Sequence, residues 1–132
     1  MVLIVEDEIL IGLGLQIMLS LAGYRVRGPA ASMASALVIA AEQAPEIALV
    51  DVNLHGDGDG VELARALHER YSTTIVFLTA EPGRADAARD FALGVITKPY
   101  NAHTPVRAVE LAVEARAGRK LTRVPRDLRL FA

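Results

Sequence analysis

The chain has 132 residues, 52% of them hydrophobic, and its 14 basic against 16 acidic residues leave a net charge of −2; this is enough chain for one domain with a buried core, and too little positive charge for the whole molecule to grip nucleic acid. It holds no cysteine, which excludes disulfide scaffolds, thiolate zinc sites and thiol nucleophiles. No apolar run approaches the roughly 20 residues that cross a bilayer, and Met1 leads to acid at Glu6 rather than to the basic start of a signal peptide, so a soluble cytoplasmic protein with no membrane role is expected.

"VLIV" at 2–5 is β-branched and apolar and stops at acid, as a buried strand does. Apolar residues recur at helical spacing from Ile9 to Leu21, and Gly23 supplies the stop. "YRVRG" at 24–28 alternates and predicts a strand nearer an edge. Ser32 can cap a helix running to about Ala44, closed by Pro45. "IALVD" at 47–51 is a second apolar strand ending in acid, followed by the loop "VNLHGDGDG" and a helix from about Gly60 to Tyr71. "TIVFLT" at 74–79 predicts a strand, 84–92 a short helix, "GVIT" at 94–97 a short strand and 104–117 a last helix. Five β-α repeats predict an α/β fold, a parallel sheet with helices on both faces. Ligands of such sheets bind beyond the carboxyl ends of the strands.

Those ends carry chemistry. Glu6, Asp7 and Glu8 follow the first strand, Asp51 ends the third with Asn53 two residues on, Thr79 ends the fourth, and Lys98-Pro99 follows the fifth. Clustered carboxylates repel unless they share a hard cation. A bound cation can draw in a phosphoryl group, with Lys98 and Thr79 on its other oxygens. Asp51 is the natural nucleophile of the set, and Glu6 and Asp7 would hold the metal.

"LIVEDE", "LVDVNL", "FLTA" and "TKP", in this order on strand ends, resemble the response-regulator receiver (CheY-like) domain of two-component signalling, over residues 2 to about 117. The resemblance implies a five-stranded flavodoxin-like (βα)5 sheet in order 2-1-3-4-5. It implies Asp51 as phosphoacceptor and Mg2+ as cofactor, with Asp7 a direct ligand, Glu6 acting largely through water and Asn53 giving its main-chain carbonyl. It also implies Thr79 as the switch hydroxyl, Lys98 on the phosphoryl group, a cis bond at Pro99, and a histidine kinase or histidine phosphotransfer protein as donor. The chain departs from the family in three places. Val95 stands three before the lysine, where an aromatic is usual. The Thr79-to-Lys98 interval is about one helical turn short, so the 84–92 helix should be stunted or irregular. The loop "HGDGDG" has an extra residue and should be mobile.

Other readings compete. Asp51, Asn53, Gly56 and Glu62 match positions of a calcium loop, but His55 and Gly58 break it and the upstream run is a strand, not a helix. Asp57 and Asp59 then read as solvated turn residues. "GLGL" at 12–15 lacks the third glycine of a dinucleotide fingerprint, with Ile17 in its place. The better reading is small residues packing the helix close to the sheet. A magnesium phosphatase would want a second aspartate where Asn53 stands, and a phosphate-independent pseudo-receiver would not need Asp51, Asp7, Thr79 and Lys98. His55, His68 and His103 show no metal-ligand spacing. From Arg116 onward the basic residues face Asp127 alone. That tail reads first as a solvated, frayed end, next as a dimer contact, and last as a nucleic-acid reader. The expected protein is a single-domain receiver at 1–117 with a basic tail at 118–132. It is a signalling module rather than an enzyme, with slow self-phosphorylation and hydrolysis, read out by a partner protein or a second copy.

Overall fold

The computed structural model describes residues 1–54 and 59–131. Elements run β1 (Val2–Val5), α1 (Ile9–Leu21), β2 (Val26–Ala30), α2 (Met33–Glu42), β3 (Ile47–Asp51), α3 (Gly60–Tyr71), β4 (Thr74–Thr79), a 3-10 helix (Pro82–Ala88), β5 (Gly94–Thr97), α4 (Thr104–Arg116) and β6 (Leu128–Leu130). The sheet order is β2-β1-β3-β4-β5-β6, with the first five strands parallel and β6 antiparallel to β5. The parallel α/β sheet expected from the strand-helix alternation is present, with six strands rather than five.

Strands covered on both faces need no alternation, and their side chains split between two cores. Val2, Ile4, Leu49, Val76, Leu78 and Ile96 face Leu15 and Leu19 of α1 and Val109 and Leu111 of α4. Leu3, Val5, Val50, Ile75, Phe77 and Val95 face Ala36 and Ala40 of α2 and Leu63 and Leu67 of α3. The 3-10 helix adds Ala85 and Ala88 to the second core. A three-residue spacing of buried alanines suits three residues per turn, so this connection is irregular as its short interval predicts, and begins two residues earlier than expected.

Local chemistry sets the boundaries. Ser32 Oγ accepts from Ser35 N at 3.2 Å and Ser35 Oγ accepts from Ser32 N at 3.2 Å, a reciprocal cap on α2. The helix ends at Glu42, with Gln43 already extended ahead of Pro45. β2 starts two residues later than the alternation predicts, because Tyr24 N is spent on Leu19 O at 3.1 Å, closing α1. A Cβ at Gly12 would collide with Pro29 of β2, so Gly12 permits the close packing expected of this helix, whereas Gly14 has nothing within 4 Å and plays no such part. The opposite flank of α1 is exposed: Ile9, Leu10, Leu13, Ile17 and Leu21 all face outward, and the helix has no charged residue. Among the described residues no helix is long and apolar enough to cross a membrane. Residues 55–58, with His55, Gly56, Asp57 and Gly58 of the calcium and mobile-loop readings, lie outside the described residues.

The C-terminal segment departs from the frayed end expected of it. Leu128–Leu130 pairs with Gly94–Ile96, and Leu128 is only 3% exposed. Gly94 admits this strand, since a Cβ there would overlap the Arg129 carbonyl oxygen. Leu128→Ala should therefore destabilise the protein by about 2–4 kcal/mol in urea unfolding. A frayed end would tolerate the change within about 0.5 kcal/mol.

Candidate functional site

The neighbouring strands β1 and β3 deliver their acids side by side. Glu6 directly follows β1, and its backbone N–H donates to Ala30 O at 2.9 Å, which ties it to β2. Asp51 closes β3 and is 4% exposed, while Glu6 is 2% exposed. One carboxylate oxygen each from Glu6, Asp7 and Asp51 falls within 4.8 Å of the others. Asn53 N donates to Asp51 Oδ1 at 2.9 Å and so fixes the carboxylate from its own turn. A Cβ at Gly60 would overlap the Asp51 carbonyl oxygen, so only glycine lets α3 begin directly over this strand end.

Lys98 arrives from the far side. Its backbone N–H donates to Thr79 O at 2.8 Å, and the bond to Pro99 is cis. Its Nζ lies 2.6 Å from Glu6 Oε1 and 3.1 Å from Asp51 Oδ2. Thr79 is fully buried, and its Oγ1 accepts from Glu81 N at 2.9 Å. The structure thus gathers Glu6, Asp7, Asp51 and Lys98. Thr79 stands at the adjoining strand end with its hydroxyl oxygen turned to its own loop. A cleft of about 180 Å³ opens among Asp7, Glu8, Asp51, Asn53, Ala80 and Lys98. Glu8 and Ala80 are members of it to which the motif reading gave no role. Only their position on the strand-end loops could have signalled them.

Charge balance governs this cleft. Two carboxylates ~4–5 Å apart repel by about 4 kcal/mol at an effective dielectric of 20, and one ammonium faces three acids. Burial raises the Glu6 carboxyl to about 8, aided by its hydrogen bond with Asp51 and opposed by Lys98. Burial disfavours the Lys98 ammonium, but its hydrogen bonds to Glu6 and Asp51 outweigh that and hold its pKa above the ordinary lysine value. Glu6 Oε2 is buried and meets no hydrogen-bond donor among the described residues. Once Glu6 is ionised, this oxygen is an acceptor beside two further carboxylates, an arrangement that suits a hard divalent cation, and Glu6, Asp7 and Asp51 form a cluster able to hold a metal ion.

The response regulator receiver domain family matches residues 2–110. This chain belongs to that family. The receiver resembles transcriptional regulatory protein PdtaR of Mycobacterium tuberculosis, 35% identical over 115 residues, which cover 85% of this chain and 56% of that protein. The chain thus spans about half the length of the curated relatives it matches. The signal receiver domain of a modulated diguanylate cyclase from Desulfovibrio desulfuricans, described as an example of alternate folding, is 36% identical with a TM-score of 0.77, over 88% of this receiver and 94% of that chain. The receiver domain of NtrX from Brucella abortus is 28% identical with a TM-score of 0.78, over 86% and 98%.

Other candidates lie outside the receiver's acidic cluster. His68 stacks on Phe91 with ring centroids 5.4 Å apart, and His103 precedes α4. Val95 is fully buried with Phe77, Ala85 and Ala88 and fills a core position.

The raised Glu6 carboxyl makes stability depend on pH. Without a cation, the folded state keeps a proton to about pH 8 that an ordinary glutamate releases near 4.5. This contribution is complete below about pH 4.5 and is lost as pH rises through about 8. Melting temperatures in chelator should therefore fall across that window. Glu6→Gln, or added divalent cation, should flatten the fall. A wild-type profile already flat in chelator would mean that Glu6 is ionised throughout.

Proposed function

We propose that this receiver accepts a phosphoryl group on Asp51 from a phosphohistidine of a histidine kinase or phosphotransfer protein. The observation that carries the reading is the Lys98 ammonium held 3.1 Å from Asp51 Oδ2 and 2.6 Å from Glu6 Oε1, at the rim of an acidic cleft. An Asp51 oxygen attacks phosphorus, the P–N bond to the donor imidazole breaks, and the imidazole nitrogen keeps the electron pair and takes up a proton. Lys98 shifts from the carboxylates toward a phosphoryl oxygen and neutralises charge there. Mg2+ would be held by Asp7, Asp51 and the Asn53 carbonyl, with Glu6 acting through water, and when bound it supplies charge neutralisation for the transferring group. Thr79 would leave Glu81 N to donate its hydroxyl to the new acyl phosphate. Pro99 positions the Lys98 backbone.

The protein works by population shift rather than turnover, in the cytoplasm, through its receiver unit at 1–117 with the basic segment at 118–132. Only slow self-phosphorylation and hydrolysis accompany it. Asn53 offers no general acid where a magnesium phosphatase needs one. The exposed apolar flank of α1 begins one residue after Glu8 and gives a partner a surface beside the cleft. The readout is a partner protein or a second copy.

Incubation with acetyl phosphate and Mg2+ should add one phosphate to the intact mass, and Asp51→Asn should abolish the adduct. Lys98→Ala should slow its formation by about 100-fold or more. A wild-type chain that stays unmodified would favour a phosphate-independent interaction module.

A further inference from the structure

The segment after α4 crosses back over the molecule and is fastened at several points. Arg107 of α4 donates through Nε to Arg123 O at 3.3 Å and through Nη2 to Thr122 O. Asp127 O accepts from Thr97 N at 3.0 Å, directly before Lys98. The Asp127 carboxylate accepts from Asn101 N at 2.6 Å and from Thr104 Oγ1 at 2.6 Å, spanning the loop that follows Lys98-Pro99. Arg129 Nη2 lies 2.8 Å from Asp86 Oδ1 of the 3-10 helix and its guanidinium sits over the Phe131 ring. Phe131 packs on the core that includes Ala85, Ala88 and Val95, and its N–H donates to Leu93 O at 2.9 Å. The segment therefore touches the pieces of chain that follow both Thr79 and Lys98.

A chain of contacts leads from the cleft to these fastenings. Thr79 Oγ1 accepts from Glu81 N, Glu81 O accepts from Arg84 N, and the 3-10 helix that follows carries Asp86. If the Thr79 hydroxyl turns toward Asp51, Glu81 N loses its acceptor and the start of the 3-10 helix is freed. The fastenings on the side of the 3-10 helix are light. β6 is three residues long, the Arg129–Asp86 pair is half exposed, and residues 119–125 have no regular secondary structure.

We propose that residues 119–131 are a releasable strap, docked while Thr79 Oγ1 holds Glu81 N and let go when Thr79 turns to a phosphoryl group on Asp51, which opens the edge of β5. The proposal rests on the phosphoacceptor reading above for its trigger, while the link from Thr79 to the strap stands on the contacts alone. Release uncovers the backbone groups of Gly94–Ile96 and the apolar seat of Leu128.

Hydrogen exchange tests it at three amides that the strap or its seat protects, Thr97, Asn101 and Phe131, with Leu49 of β3 as reference. Thr79→Val removes the acceptor for Glu81 N and should speed exchange at all three by about tenfold, with Leu49 unchanged. Mg2+ with beryllium trifluoride, a phosphoryl mimic, should do the same in the wild type and not in Asp51→Asn. Release by Thr79→Val without any response to the mimic would keep the strap and sink the phosphoacceptor reading. Full protection in Thr79→Val, or in a wild type whose intact mass shows phosphate on Asp51, would overturn the strap. Should Thr79→Val not fold, Asp86→Ala on the exposed side decides. It should speed Phe131 exchange about twofold, and unchanged exchange there would disconnect the 3-10 helix from the strap.

Discussion

One ammonium between two buried carboxylates organises this molecule. Glu6 and Asp51 come from adjacent strands, so their closeness is a direct product of β1 lying beside β3. Lys98 comes from beyond β5, with β4 in between. Two strand spacings of ~4.8 Å separate β3 from β5, which only a long side chain can bridge. The end of β4 leaves the way open by placing Thr79 and Ala80 there, a buried hydroxyl residue and a methyl. Three carboxylates gathered at one strand edge concentrate negative charge there, which makes the cleft receptive to a cation. Stability and chemistry thus pull against one another at this point, a common condition of binding sites.

The opposite side of β5 is organised by a different residue. Asp127 carries three acceptor contacts, one through its backbone and two through its carboxylate. They join a strand end, a loop and the first turn of a helix. The Thr104 hydroxyl bond and the two backbone bonds, to Asn101 and within Asp127, outweigh slight burial and keep this carboxylate below its ordinary pKa. It stays ionised under ordinary conditions and able to hold the segment in place. The core beneath includes Phe77, Val95, Ala85 and Ala88, and Phe131 adds a further ring to it from outside the parallel strands.

Strands buried on both faces announce themselves, and β1, β3, β4 and β5 were legible because their residues are apolar without interruption. The site residues were legible because the rule about strand ends turns sequence position into spatial position before any coordinate is known. Two elements resisted. β2 was displaced because an amide that looks free for a ladder, that of Tyr24, is consumed in ending a helix. β6 was missed because three residues, "LRL", in a run of arginines give too short a pattern to outweigh the charge around them. Asp127, the lone acid of that run, was its one visible signal. The hydroxyl of Thr79 was assigned to the right strand end. Where it bonds depends on a rotation that no residue pattern encodes.

The two borders of the sheet share a property. On one, the Gly28–Pro29 step places a residue without an N–H in β2 and interrupts its register with β1. On the other, β6 offers only three residues, with an exposed arginine in the middle. Neither border is a template on which further strands can be laid. Concentrated solutions of the docked form should therefore resist ladder-like polymerisation, which leaves helix faces such as the uncharged, exposed flank of α1 as the surface for any association of copies.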